Sequence, residues 1–180
     1  FHQQHVKDVV VRTFEQVQAA AKNKEALTGL PTGLTKLDEM TAGLKGGELI
    51  IIAGRPGMGK TAFALNVGIA ACQARGQTPV MVFSLEMRKD ELVRRLLCSE
   101  AKVDGGRMRT GHLSREDWSR LAGAAGPLTE LPFFIDDTAA ITLMQLRGKA
   151  RRLRAEHGLG LIVIDYLQLM RSGTKNDSRE

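Results

Sequence analysis

The sequence is poor in cysteine and has no long apolar run. Only two of its 180 residues are cysteines, Cys72 and Cys98, and both lie inside apolar helical patterns. This indicates thiols buried in a core and a reducing compartment. No apolar run approaches the roughly 20 residues that a membrane-spanning helix needs, and no signal peptide is visible, so we expect no membrane partner. The four histidines show no spacing typical of a metal site.

The remaining composition is that of an ordinary globular protein. Apolar residues make up 43% of the chain and charged residues 26%, and the length suits one domain with a sizeable core. The net charge of +6 permits a polyanionic partner but does not require one. Because the chain begins at Phe1 and stops in a polar run, we expect it to be a piece of a longer protein.

The first 24 residues predict an amphipathic helix that is separate from the rest of the chain. Apolar residues recur there at spacings of three and four. They are Val6, Val9, Val10, Phe14 and Val17. A polar linker over residues 22–28 follows, so we predict one domain over residues 1–24 and a second over residues 25–180.

From residue 46 onward, predicted strands and helices alternate. Strands are predicted over residues 49–53, 79–84, 133–136 and 161–164. The last of these is continuously apolar and is therefore expected to be buried on both faces. The intervening segments predict helices over residues 60–75 and 89–101, and two more that begin with capping boxes at Ser114 and Thr142. This alternation predicts an α/β fold with a parallel sheet covered by helices on both faces.

The helical segments also predict which side chains pack into the core. In the helix after Ser114, one face carries Trp118, Leu121, Ala122 and Ala125. In the helix over residues 89–101, the predicted buried residues are Leu92, Val93, Leu96 and Leu97. In the helix after Thr142, they are Leu143, Leu146, Ala150 and Leu153.

One loop carries most of the chemical information. A glycine, four residues, and then Gly-Lys-Thr follow a predicted strand and precede a predicted helix. The candidate nucleotide-binding residues are Gly54, Arg55, Pro56, Gly57, Met58, Gly59, Lys60 and Thr61. Glycines allow a tight turn whose N–H groups converge on an anion, and the helix N-terminus adds partial positive charge. Lys60 is expected to reach the β- and γ-phosphates and Thr61 to hold Mg²⁺, so the loop predicts a nucleoside triphosphate site rather than a simple turn.

Carboxylates at the ends of predicted strands complete the candidate site. Asp165 follows an apolar strand at the sheet edge where α/β ligands bind, and is predicted to hold Mg²⁺. Glu86 ends the second strand and is the candidate catalytic base, since Tyr166 rather than an acid follows Asp165. The alternative is that Glu86 caps the next helix. For Asp136 and Asp137, a capping and turn role is favoured.

The helix that begins near Thr142 is strongly basic. A solvent-exposed outer face is favoured for it over a nucleic-acid contact, because no aromatic residues interleave with the charges. The basic residues are Arg147, Lys149, Arg151, Arg152 and Arg154.

Several segments together resemble a known family. Residues 32–38 with Gly43 and Gly46 resemble the lead-in of RecA-type ATPases. The phosphate loop, Phe-Ser-Leu-Glu-Met over residues 83–87, Phe-Ile-Asp-Asp-Thr over residues 134–138, and the run over residues 161–170 resemble the bacterial replicative DNA helicases of the DnaB family. The resemblance covers about residues 28–173.

The resemblance implies a RecA-like P-loop NTPase that uses ATP and Mg²⁺. Lys60 and Thr61 match the phosphate-loop pair, Asp165 the magnesium aspartate and Glu86 the catalytic glutamate. ATP hydrolysis would then drive translocation on single-stranded DNA and unwinding of duplex DNA at the replication fork. The first helix matches the linker helix that docks on a neighbouring subunit of a hexameric ring.

The resemblance also implies elements beyond Glu180. These are a strand inserted between the phosphate-loop strand and the Asp165 strand, a polar sensor, DNA-binding loops and an arginine finger. The sheet is therefore expected to be incomplete at the C-terminus. Expected partners are single-stranded DNA, further copies of the chain, primase and a helicase loader, in the bacterial cytoplasm and associated with the nucleoid.

Two other functions are also compatible with these sequence features. A RecA-type or clock-type ATPase of recombination or regulation would share the lead-in and the phosphate loop, but not the segment over residues 165–170. A nucleotide-binding regulator without turnover would lack a well-placed Glu86.

Overall fold

A computed structural model of the chain describes residues 5–22, 29–74 and 76–171. The backbone divides into two units, Phe1–Glu48 and Leu49–Glu180. The predicted domain boundary between residues 24 and 25 lies outside the described residues. Within the described part, no helix combines the length and the apolar content needed to cross a membrane.

The first unit contains the predicted amphipathic helix and a short helical turn. Helix α1 spans Val6–Lys22, and its apolar stripe is exposed, with Phe14 at 65%. Helix α2 spans Thr35–Thr41. The lead-in turn before α2 is fixed by buried Asp38, whose Oδ1 accepts from the Thr32 backbone N–H at 2.8 Å and from its hydroxyl at 2.7 Å.

The second unit alternates helices and strands. In chain order its elements are α3 (Lys60–Gln73), β1 (Val80–Ser84), α4 (Lys89–Ala101), α5 (Gly105–Thr110), α6 (Arg115–Thr129), β2 (Phe133–Asp136), α7 (Leu143–His157), β3 (Leu161–Asp165) and a 3₁₀ turn (Leu167–Leu169).

The described strands form one parallel sheet in the order β2-β1-β3. The central strand β1 is buried along its whole length. Its register places Val80 beside Phe133 on one side and beside Leu161 on the other. At the carboxyl edge, Ser84 of β1 pairs with Asp165 of β3.

Helices cover both faces of this sheet, as predicted. Successive side chains of a strand point to opposite faces, so Val80 and Val82 pack with α3 and α4 whereas Met81 and Phe83 pack on the side of α7. The first core contains Leu65, Ile69, Ala71, Cys72, Leu92 and Leu96 besides the strand residues. The second contains Ile141 and Leu146. The predicted α/β fold with a parallel sheet covered on both faces is confirmed.

A further helix, α5, was not predicted. It packs with α4 and α6 through a small cluster that includes Val103 and Leu121. Its N-cap, Asp104, accepts a hydrogen bond from the Arg107 N–H at 2.9 Å, and Gly111 ends it in the left-handed conformation, with φ of 76°. An Asp before the helix and a Gly after it are the signals that would have identified it.

Both predicted capping boxes are present. At the start of α6, Ser114 and Asp117 exchange two side-chain-to-backbone hydrogen bonds of 3.0 Å. At the start of α7, Thr142 and Gln145 exchange the equivalent bonds at 3.0 and 3.3 Å. The backbone and hydroxyl of Ser114, together with the nearby Arg107 guanidinium, hold the pKa of Asp117 below its ordinary value.

Two strand predictions are wrong in part. Residues 49–53 form no strand among the described residues, and Leu49 is 81% exposed. In β3, Ile162 is 42% exposed, so this strand is not buried on both faces. A strand needs a hydrogen-bonded neighbour, and residues 49–53 have none among the described strands. An apolar strand also needs cover on each face, and β3 lies at the edge of the described sheet, where that cover is less complete.

The predicted helix faces are also shifted at their margins. Trp118, Val93 and Leu143 are exposed rather than packed, at 62%, 43% and 57%. In α6 the buried residues are Asp117 and Leu121. Periodicity locates an apolar stripe, but the position of the neighbouring helix decides which margin of the stripe is covered.

Candidate nucleotide-binding site

The predicted phosphate loop lies directly before α3, which begins at Lys60. Gly57 and Gly59 have φ of 78° and 83°, a region that other residues enter only with strain. Gly59 is the N-cap residue of α3 and offers no side chain to the first-turn N–H groups. Those N–H groups, with the positive end of the helix dipole, form the kind of site that binds a phosphate.

Lys60 folds back across this loop. Its Nζ donates to the backbone carbonyl oxygen of Gly54 at 2.7 Å and lies 3.5 Å from that of Arg55. The ammonium is therefore held against the backbone of the loop, while the Lys60 backbone starts the helix. A phosphate in the loop would offer this ammonium charged acceptors in place of a neutral carbonyl.

Thr61 and Asp165 are in direct contact. The Thr61 hydroxyl donates to Asp165 Oδ2 at 2.6 Å, although the two residues come from distant parts of the chain. Asp165 ends β3 and is 8% exposed. The two oxygens are hard ligands of the kind that Mg²⁺ prefers, and Mg²⁺ usually takes only one or two protein ligands beside water and phosphate. These residues therefore fit a magnesium site.

Glu86 lies two residues beyond the end of β1, at the same edge of the sheet. Ser84 pairs with Asp165, and the Leu85 N–H donates to the Asp165 carbonyl oxygen at 2.7 Å, so the residue before Glu86 is bonded to the end of β3. The side chain of Glu86 is exposed and has no hydrogen-bond partner within residues 5–22, 29–74 and 76–171.

The helix after Glu86 is capped by a different carboxylate. The N-cap residue of α4, Arg88, makes no side-chain cap, and the Lys89 N–H instead donates to Asp137 Oδ2 at 3.1 Å. The alternative role of Glu86 as the cap of α4 is therefore wrong, and the capping role predicted for Asp137 is confirmed. The hydrogen bond from the Lys89 backbone lowers the pKa of Asp137.

Asp136 has the turn role that was predicted. Its Oδ1 accepts from the Thr138 N–H at 2.9 Å, and its Oδ2 accepts from Lys149 of α7. Burial raises the pKa of Asp136, but the hydrogen bonds from Lys149 and Thr138 together outweigh it and leave the pKa below its ordinary value. This pair fixes α7 to the end of β2.

The other basic residues of α7 are exposed, as expected for an outer face. Arg152 lies 3.9 Å from Glu156 one turn later, and Arg147, Arg151 and Arg154 also face solvent. Among the described residues, no group of three or more His, Cys, Asp or Glu side chains forms a metal site.

Sequence reasoning missed the contacts that hold the segment between β1 and α4. From the sequence alone, Ser84 is only part of a predicted strand, and Asp137 is a capping or turn residue whose partner is unknown. The cap joins residues that are 48 positions apart, which no local pattern reports. The Ser84 hydroxyl bonds to the Met87 backbone, and a serine at the last position of a buried strand was the available signal for this contact.

A parallel sheet with a glycine-rich loop, a lysine at a helix start and a Thr–Asp pair at its carboxyl edge is typical of P-loop nucleotide-binding domains. Comparison with known proteins identifies the family within this class. The profile of the DnaB-like helicase C terminal domain matches residues 29–180. The chain belongs to this family.

Similar proteins agree with the assignment. The chain is 46% identical over 178 residues to the replicative DNA helicase DnaC of Bacillus subtilis, covering 98% of this chain and 39% of that protein. One solved relative, an ATPase domain, superposes with a TM-score of 0.87 at 31% identity, over 98% of this chain and 62% of that one. The structure of a DnaB-like replicative helicase and its interactions with primase superposes with a TM-score of 0.85 at 31% identity, over 98% of this chain and 42% of that one.

The chain therefore spans about two fifths of the length of its Bacillus relative. Membership of the helicase family excludes the recombinase-type and clock-type alternative.

Proposed function

We propose that this chain supplies the ATP-binding and ATP-hydrolysing part of a replicative DNA helicase. The observation that carries the proposal is the contact of 2.6 Å between Thr61 and Asp165. It brings the end of the phosphate loop and the end of β3 together at one edge of the sheet, as nucleotide hydrolysis with Mg²⁺ requires.

In the proposed mechanism, the loop N–H groups and Lys60 bind the phosphates. Thr61 and Asp165 would hold Mg²⁺, which when bound neutralises charge on the β- and γ-phosphate oxygens. Glu86 orients a water molecule and accepts its proton as the water oxygen bonds to the γ-phosphorus. The bond from that phosphorus to the bridging oxygen breaks, and ADP and phosphate leave.

The DNA-related part of the function rests on the relatives. We propose that hydrolysis drives movement along single-stranded DNA in a ring of six copies, in the bacterial cytoplasm and in contact with the nucleoid. The exposed apolar stripe of α1 supports assembly through this helix, because such a stripe is usually covered by a partner. A primase partner is proposed from the solved relative and a loader from the family resemblance.

The test is the substitution Glu86→Gln in the complete gene product. The amide keeps the shape of the side chain but loses its basicity, so hydrolysis should fall by roughly 10²–10⁴-fold while ATP still binds. Turnover would be followed by phosphate release, and binding by titration calorimetry. Turnover close to that of the unchanged protein would contradict the role of Glu86. A protein that binds ATP but shows no turnover even without the substitution would instead be a nucleotide-binding regulator.

A further inference from the structure

The segment that carries Glu86 is closed by a buried hydroxyl. Ser84, at the end of β1, is 1% exposed. Its hydroxyl donates to the Met87 carbonyl oxygen at 2.7 Å, and the Met87 N–H donates back to the same hydroxyl oxygen at 3.3 Å. One side chain therefore satisfies both backbone groups of Met87 and spans residues 85–87.

The same segment is attached to both neighbouring strands. On the side of β3, the Leu85 N–H donates to the Asp165 carbonyl oxygen at 2.7 Å. On the side of β2, Asp137 Oδ2 accepts from the Lys89 N–H at 3.1 Å. Glu86 lies between these two attachments, which hold the backbone before and after it.

Glu86 has no side-chain hydrogen bond of its own within the part of the chain that the structure describes. Its distance from a water molecule at the γ-phosphate therefore depends on where the backbone places it. A general base must come within hydrogen-bond reach of the proton that it accepts, and a displacement of about 1 Å can cost on the order of a hundredfold in rate.

We propose that Ser84 and Asp137 are positioning residues that hold Glu86 for ATP hydrolysis. Ser84 closes the turn around Glu86, and Asp137 fixes the start of the helix that follows. The inference rests on the proposed function of Glu86 as the base.

The first test is Ser84→Ala, made in the complete gene product with Glu86 unchanged and again with Glu86→Gln. With Glu86 present, kcat for ATP hydrolysis should fall roughly tenfold, while KM and the affinity for ATP with Mg²⁺ stay within about twofold. In the Glu86→Gln protein, Ser84→Ala should change kcat little, because the base that it positions is already lost.

Asp137 offers a matched pair that does not disturb the core. Asp137→Ala removes the acceptor for the Lys89 N–H and should also lower kcat several-fold. Asp137→Asn keeps an acceptor oxygen and should recover most of that loss. The pair keeps the inference testable even where Ser84→Ala fails to fold.

Different outcomes separate the inference from the proposed function. Near-normal turnover in Glu86→Gln would overturn the role of Glu86 and the positioning role together. A large loss in Glu86→Gln, with equal losses for Ser84→Ala in both backgrounds, would leave Glu86 as the base and overturn positioning by Ser84. An equal loss for Asp137→Ala and Asp137→Asn would overturn positioning through the Lys89 hydrogen bond.

Discussion

Removal of the Lys60 ammonium should weaken ATP binding by a predictable amount. In the structure, Nζ donates to the Gly54 carbonyl oxygen at 2.7 Å. In the proposed role, ATP binding would exchange this neutral acceptor for phosphate oxygens, so Lys60→Ala should cost about one charge-assisted hydrogen bond, or ~1.5–3 kcal/mol. This corresponds to a dissociation constant that is about ten- to a hundredfold higher.

The substitution should leave the fold intact. Lys60 is the first residue of α3, and alanine is a good helix former. Titration calorimetry with ATP and Mg²⁺ would measure the affinity, and thermal unfolding would verify the fold. Lys36→Ala is a suitable control, because Lys36 is an exposed lysine of α2 that is not among the proposed phosphate-binding residues, and it should not change the affinity. Equal affinities for Lys60→Ala and the unchanged protein would refute the assignment of the phosphate loop.

Three further predictions concern other parts of the chain. The double substitution Arg151→Ala and Arg154→Ala in α7 should leave the affinity of the complete gene product for single-stranded DNA within about threefold of that of the unchanged protein, because this helix face is proposed to lie outside the DNA path. A tenfold loss of affinity with a shallower salt dependence would contradict this. The double substitution Val10→Asp and Phe14→Asp places charges in the exposed apolar stripe of α1 and should reduce self-association without lowering nucleotide affinity. Light scattering at several concentrations would measure the mass. An unchanged mass with a lower melting temperature would mean that α1 packs within its own subunit. The hydrogen bond from the Ser114 backbone N–H is the chief cause that lowers the pKa of Asp117 from its ordinary value of 3.8. The ionised carboxylate therefore stabilises the fold above pH 3.8, and this stabilisation is lost as the pH falls through the lowered pKa of the folded state. Denaturant unfolding of Asp117→Asn should therefore depend less on pH below about 4 than unfolding of the unchanged protein, and equal pH dependences would refute the effect.

The local features of this protein were predictable because they depend on neighbours in the sequence. The glycines at 57 and 59 are needed for a turn with positive φ, and both adopt one. The capping boxes at Ser114 and Thr142 were predictable for the same reason, since all their hydrogen bonds span three residues. The pairing of Thr61 with Asp165 was predictable because parallel strands and a phosphate loop place their functional residues at one edge of the sheet.

The tertiary structure alone decided what depends on which elements become neighbours. The apolar pattern indicated strands, but the order β2-β1-β3 determines that Ile162 is exposed and that Asp137 reaches the start of α4. Residues 49–53 show the same limit, because their sequence predicts a strand whereas the described structure contains no strand beside them. A chain's own pattern specifies which faces are apolar and which backbone turns are permitted. Which groups cover those faces, and which carboxylate caps which helix, is settled only when segments distant in sequence pack together.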